Sequence, residues 1–196
     1  PVQGVIKSDR ETNWRWWALF HQSVLSFGAY YCYDNPQALQ RRLQGPPINL
    51  TNFQYSVLYS IYEFPNIILP LFGGLIIDFF GVRATTIVFS LMVIASQAVF
   101  TWGVYEGSFF LMAVGRFIFA LGGENLSVAH SVLVTKWFRS KELGFSLGLS
   151  LSVIRLGSMT NSLTTPKIAD AVGNSWYPCL VGLYICMISF VSAIWA

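Results

Sequence analysis

The chain contains 196 residues, of which 54% are hydrophobic and only 11% are charged. Because soluble domains carry about 25% charged residues, this composition excludes an ordinary water-soluble domain and predicts an all-α membrane protein embedded in a lipid bilayer. The net charge of +3 comes from short clusters between long apolar stretches. It therefore indicates orientation in the membrane, and we expect no nucleic-acid partner.

Six stretches are long and apolar enough to cross a bilayer, which takes about 20 residues. In chain order they cover residues 16–33 with a bent continuation to 43, then 53–79, 84–105, 109–134, 143–165, and 176 to the end. Pro65 and Pro70 predict kinks in the second stretch. The chain starts at Pro1 and stops at Ala196 inside an apolar stretch. We expect residues 1–196 to form one six-helix unit of a longer protein.

The basic residues of the connections predict a cytosolic N-terminus. Three of them face one side of the membrane, Arg41, Arg42 and Lys167, and seven face the other, Lys7, Arg10, Arg15, Arg83, Lys136, Arg139 and Lys141. By the positive-inside rule, the side with seven is cytosolic. Asn49-Leu50-Thr51 then lies on the opposite side and matches the glycan acceptor pattern. Asn49 is therefore a glycosylation candidate.

Two charged residues of opposite sign, Glu124 and Arg155, lie near the centres of the fourth and fifth stretches. A charge at the bilayer centre costs ~2.5–3.5 kcal/mol on insertion scales, so such residues are usually functional. Two hypotheses remain open for this pair. The residues hold the amine and the carboxylate of a small zwitterion, or they form a structural ion pair with each other or with other intramembrane charges.

The connection between the second and third stretches reads Gly74-Leu75-Ile76-Ile77-Asp78-Phe79-Phe80-Gly81-Val82-Arg83. This string resembles the signature loop of the major facilitator superfamily, although two of the family's basic positions are apolar here. Gly74 allows close helix contact, Asp78 can cap a helix N-terminus, and Arg83 can neutralise a helix C-terminus or pair with an acid. Together with Gly81 they are expected to form a latch that holds one conformation of a rocking transporter.

Longer strings at residues 26–36, 115–124 and 155–158 resemble the lysosomal dipeptide uniporters of this superfamily, and the resemblance extends from about residue 25 to 160. It implies the N-terminal half of a twelve-helix transporter, built from two inverted three-helix repeats. It also implies that Glu124 binds the amine of a dipeptide and Arg155 its carboxylate, with Tyr33 lining the site. Facilitated diffusion out of the lysosome and an accessory membrane glycoprotein are further expectations.

Two more intramembrane charges have other expected roles. Arg116 belongs to a pattern shared by the wider superfamily, so we expect a structural or coupling role for it. Glu63 departs from the family pattern. It either alters substrate choice or forms an ion pair with Arg116.

No nucleotide-binding loop, zinc pattern or catalytic triad is visible, so we expect neither an enzyme nor a cofactor or metal. The three cysteines, at positions 32, 179 and 186, are expected to be small core residues. Two alternative functions remain open. One is a proton-coupled symporter of organic anions that uses Glu63 or Glu124 as the titrating group, and the other is a transport-inactive scaffold subunit of a larger membrane assembly.

Overall fold

The computed structural model describes residues 14–195, except for the side chains of Leu71, Ser140, Lys141 and Trp195. This range consists of helices joined by turns and short connections and contains no strand. The helices are α1 (Trp14–Tyr33), α2 (Asn35–Ala38), α3 (Gln40–Leu43), α4 (Asn52–Asn66), α5 (Leu69–Phe80), α6 (Val82–Glu106), α7 (Phe109–Trp137), α8 (Ser140–Val172) and α9 (Trp176–Trp195). The predicted all-α class is confirmed. Two residues used for the orientation, Lys7 and Arg10, lie outside the described range.

Four helices in the described range are long and apolar enough to cross a membrane: α6, α7, α8 from Glu142 onward, and α9. Helix α1 has the necessary length, with 20 residues, but polar residues such as Gln22 and Ser23 interrupt its apolar sequence. All six stretches predicted from the sequence are helical, while the length and composition of a span are met at four of them.

The second predicted stretch is two helices rather than one kinked helix. Helix α4 starts with a capping box, in which the Thr51 hydroxyl accepts from the Gln54 backbone while the Gln54 side chain accepts from the Thr51 backbone. Pro65 lies in the last turn of α4, and Pro70 lies in the first turn of α5. Because proline cannot donate a backbone hydrogen bond, two prolines so close together end one helix and allow the next to begin.

Helix α8 extends beyond its predicted end at residue 165, through Pro166 to Val172. The turns after the proline are held by packing, since Ala169 is completely buried in a cluster with Leu39 and Leu43. Burial of apolar surface thus outweighs the hydrogen bond that Pro166 removes.

Helix α1 is central to the packing and contacts α7, α8 and α9. It meets α8 along its length. Near one end, Arg15 Nη1 and Glu142 Oε2 are 2.7 Å apart, and just beyond the other end of α1, Asn161 Nδ2 donates to Asn35 Oδ1 of α2 at 2.7 Å. Between them, Gly157 lies so close to Phe27 that a Cβ atom at position 157 would be 2.6 Å from the Phe27 carbonyl oxygen.

Candidate functional site

Glu124 lies one residue from position 123, the midpoint of α7, and its side chain is half-buried. Its Oε1 atom accepts a hydrogen bond from the Tyr62 hydroxyl at 2.6 Å. This length is typical of a hydroxyl that donates to an ionised carboxylate. Glu124 is therefore held at one oxygen by a residue of α4.

Arg155 lies one residue from position 156, the midpoint of α8. Its side chain is exposed, and within the described part of the chain it makes no ion pair or side-chain hydrogen bond. The structural ion pair between Glu124 and Arg155 is not formed. The two charges have matching positions in their helices, about 1.5 Å from each midpoint by the rise of an α-helix. Glu124 Oε2 and the Arg155 guanidinium have no hydrogen-bond partner among the described residues.

Tyr33, at the C-terminal end of α1, lies beside the residue that holds Glu124. Its ring centroid is 4.8 Å from that of Tyr62 and 6.1 Å from that of Tyr30. The three tyrosines line a shallow depression in the surface of the protein together with Ala29, Phe119, Gly123 and Ser127. The Tyr33 hydroxyl donates to Glu63 Oε1 at 3.4 Å, so Tyr33 connects the depression to the exposed Glu63.

Arg116 is buried in a cage of aromatic rings, with only 2% of its surface exposed. Its Cζ atom lies 5.0–5.6 Å from the ring centroids of Tyr33, Tyr59, Tyr62 and Phe119. Its Nη1 atom donates to the backbone carbonyl of Tyr33 at 3.0 Å. The alternative of an ion pair between Glu63 and Arg116 is not realised in the described residues. Aromatic faces, which attract cations, surround the guanidinium instead.

The proposed latch residues differ in what they contact. Arg83 Nη2 donates to the backbone carbonyl of Ile194 in α9 at 3.0 Å. Asp78 is exposed and caps no helix in the described range. Gly81 forms the junction of α5 and α6 with a φ of 83°.

The close helix contact expected at Gly74 occurs one residue earlier. A Cβ atom at Gly74 would have nothing within 4 Å, whereas one at Gly73 would overlap the side-chain amide of Asn125. The expectation for Gly74 was wrong for contacts within this chain, because Gly73 and not Gly74 faces α7.

Asn49 is exposed and has a φ of 54°. This places the glycan candidate in the connection between α3 and α4, next to the capping box that involves Thr51. The side chain of Asn49 is thus accessible, while the hydroxyl of the same acceptor triplet is engaged by Gln54.

The cysteines are buried, as expected of core residues. Cys32 and Cys186 face each other across α1 and α9 with their Sγ atoms 3.0 Å apart. In the described range, no group of three or more His, Cys, Asp or Glu side chains is arranged to hold a metal ion.

Tyr62 is the site residue that the sequence did not single out. The only signal was the recurrence of tyrosines at positions 55, 59 and 62 of one helix, a spacing that places them on one face. That pattern does not show which hydroxyl reaches a carboxylate, since the partner lies 62 residues further along the chain.

Comparison with known proteins gives one matching family and several relatives. The model of the Major Facilitator Superfamily matches residues 20–196. The Lysosomal dipeptide transporter MFSD1 of Danio rerio is 44% identical over 144 residues, which cover 73% of this chain and 31% of the relative. The protein of the same name from Homo sapiens is 40% identical over 181 residues, which cover 87% of this chain and 38% of the relative.

A more distant relative is the Probable sulfoacetate transporter SauU of Cupriavidus necator, 28% identical over 132 residues, or 64% of this chain and 29% of the relative. The chain spans about a third of the length of the curated relatives that it matches. With apolar helices long enough to span a bilayer and a family match over most of its length, the chain is an integral membrane protein that belongs to the Major Facilitator Superfamily.

Proposed function

We propose that this chain is the N-terminal six-helix half of a transporter that moves dipeptides or similar small zwitterions across a membrane by alternating access. The observation that carries the proposal is the pair Glu124 and Arg155. They have opposite signs, each lies one residue from the midpoint of its helix, and they are not paired with each other. Substrate sites of secondary transporters lie near the bilayer midplane, and charges there are costly, so residues that carry them are usually functional.

The chemistry of the two side chains fits the two ends of a peptide. The Glu124 carboxylate accepts hydrogen bonds from a substrate ammonium group. The planar guanidinium of Arg155 donates two parallel hydrogen bonds to a substrate carboxylate. Tyr33 lines the depression next to Tyr62, the residue that donates to Glu124. Because this arrangement binds both peptide termini, the affinity for a dipeptide should depend little on the side chains of the dipeptide.

The names of the relatives support a dipeptide substrate and a lysosomal location, whereas facilitated diffusion is proposed on the resemblance alone. Several relatives that are 38–44% identical to this chain carry the name Lysosomal dipeptide transporter. The chemistry of Glu124 and Arg155 agrees with that substrate. On the basis of the same names, we propose that this chain lies in the lysosomal membrane. An accessory membrane glycoprotein remains part of the proposal on the resemblance alone.

Alternating access requires a second helical half that rocks against this one. In the proposal, residues 14–106 and 109–195 are inverted repeats within the first half. Gly74, Asp78, Gly81 and Arg83 are proposed to form a latch that holds one conformation of the transporter. Within the described residues, Arg83 contributes to it through its hydrogen bond to the Ile194 carbonyl.

The N-terminus is proposed to be cytosolic, which places Asn49 on the luminal side, where glycosylation is possible. Labelling of single cysteines from either side of the membrane tests this orientation. An introduced Asn49→Cys should react with a membrane-impermeant maleimide from the luminal side only, and Lys136→Cys from the cytosolic side only. The reverse pattern would exclude the orientation.

Uptake by proteoliposomes that contain the full-length protein tests the function. We expect uptake of a dipeptide down its gradient without an imposed pH gradient. Glu124→Gln should abolish the preference for a free amine over an N-acetylated dipeptide, and Arg155→Lys should markedly weaken binding of the free carboxylate form. Glu106→Gln, which removes a carboxylate at the exposed end of α6, is the control.

The same assay separates the alternative functions. Strict dependence of uptake on a proton gradient would favour the symporter. Absence of both uptake and dipeptide binding in folded protein would favour the scaffold. Wild-type binding by both Glu124→Gln and Arg155→Lys would refute the proposed site.

A further inference from the structure

Tyr62 makes the contact that determines where the Glu124 carboxylate points. Its hydroxyl donates to Oε1 at 2.6 Å, and no hydrogen bond from the described residues reaches Oε2. A glutamate side chain is flexible and loses rotamer entropy when it is fixed. A single short hydrogen bond to a charged acceptor is strong enough to select one orientation of the Glu124 side chain.

The ring of Tyr62 is itself fixed from several sides. Only 5% of the residue is exposed. Its centroid is 4.8 Å from that of Tyr33 and 6.0 Å from that of Phe119, and the Arg116 Cζ atom lies 5.0 Å away. The hydroxyl therefore cannot follow Glu124 if that side chain rotates, so the orientation is imposed on the carboxylate and not on the tyrosine.

We propose that Tyr62 is a positioning residue for amine recognition, which holds one oxygen of Glu124 so that the other faces the substrate ammonium. The proposal rests on the proposed function of Glu124. Preorganised acceptors bind more tightly than mobile ones because less freedom is lost on binding. Tyr62 thus determines the preference for a free amine without contacting the substrate's carboxylate.

Binding of three ligands to the full-length protein tests this role. The ligands are an unmodified dipeptide, its N-acetylated form and its C-amidated form. Tyr62→Phe keeps the ring and removes the hydroxyl. We expect it to reduce the preference for the free over the N-acetylated dipeptide about tenfold, the scale of one hydrogen bond to a charged group. The preference for the free over the C-amidated dipeptide should stay unchanged.

Tyr59→Phe is the matched control. Tyr59 lies one turn earlier on α4 and packs on the same guanidinium, with 5.5 Å from Cζ to its ring centroid, and it does not bond to Glu124. It should retain the wild-type preference for a free amine. Glu124→Asp is a second variant. It keeps the negative charge, but its side chain is one methylene shorter, so the carboxylate is drawn away from the Tyr62 hydroxyl. It should lose the amine preference in the same way.

The outcomes distinguish the inference from the proposed function. If Glu124→Gln loses the amine preference while Tyr62→Phe and Glu124→Asp keep it, Tyr62 has no positioning role and the proposed site stands. If Glu124→Gln keeps the preference, the proposed site itself is wrong. If Tyr62→Phe weakens all three ligands by the same factor, its role is structural and the inference is overturned.

Discussion

The guanidinium of Arg116 donates a hydrogen bond of 3.0 Å to the backbone carbonyl of Tyr33, which anchors a buried cation of α7 to the last residue of α1. Arg116→Ala removes this bond and the attraction to the surrounding rings. A hydrogen bond to a charged group contributes about 1.5–3 kcal/mol, and a desolvated cation–π contact up to about 2 kcal/mol. We expect the free energy of unfolding to fall by roughly 3 kcal/mol.

Thermal unfolding in detergent measures this effect. Arg116→Lys should fall between the wild type and Arg116→Ala, because an ammonium group can still donate but presents no planar face to the rings. Arg139→Ala, at an exposed position, should change stability by less than about 0.5 kcal/mol. Equal stability of Arg116→Ala and the wild type would show that the cage contributes nothing.

Gly157→Ala should destabilise the crossing of α1 and α8. The added Cβ atom would lie 2.6 Å from the Phe27 carbonyl oxygen, and such overpacking costs roughly 1–3 kcal/mol. Gly148→Ala is the matched control on the same helix, since a Cβ atom there has nothing within 4 Å. Its helix propensity should make it neutral or slightly stabilising. A melting temperature for Gly157→Ala at or above that of Gly148→Ala would contradict the close approach.

Arg15 and Glu142 join α1 and α8 through two hydrogen bonds, of 2.7 and 3.1 Å. Their side chains are 22% and 48% exposed, so the pair should contribute only about 0.2–1 kcal/mol. Arg15→Glu should lower stability through repulsion, and the swap Arg15→Glu/Glu142→Arg should recover most of the loss. Additive losses in the double variant would rule out a direct pairing.

Asn161 is completely buried and donates to Asn35. Asn161→Leu leaves the Asn35 oxygen without this donor, and a buried unsatisfied group costs about 1–3 kcal/mol. Replacing both residues by leucine removes both polar groups and should be less destabilising than the single change. Denaturation of the two variants and of Ser162→Ala, an exposed neighbour, provides the comparison.

The sequence predicted the helical segments well because hydrophobic stretches of span length have few other structures open to them. It predicted poorly what happens inside a stretch. Pro65 and Pro70 indicated kinks, yet the structure ends one helix and starts another. The fifth stretch was expected to end at residue 165, yet α8 continues through Pro166 because Ala169 is packed beyond it. The outcome at a proline depends on tertiary contacts that the local sequence does not contain.

For the candidate site, the sequence identified the charged residues and their depth but not their neighbours. Glu124 and Arg155 are conspicuous because charges are rare in apolar stretches. Tyr62 is not conspicuous among nine tyrosines, and its importance comes from packing between α4 and α7. Pairing of Glu63 with Arg116 was plausible from charge alone. It fails because aromatic side chains enclose Arg116.

The contacts between α1 and α8 affect the separation of Glu124 and Arg155. Glu124 and Arg155 belong to α7 and α8, which touch each other little, while both helices pack on α1. The ion pair at Arg15 and the close approach at Gly157 hold α8 against α1, and the hydrogen bond from Asn161 to Asn35 holds it against α2. The separation of the two charges is thus fixed through α1, a helix that carries neither of them. In the proposed function, this separation sets the length of the zwitterion that can bind.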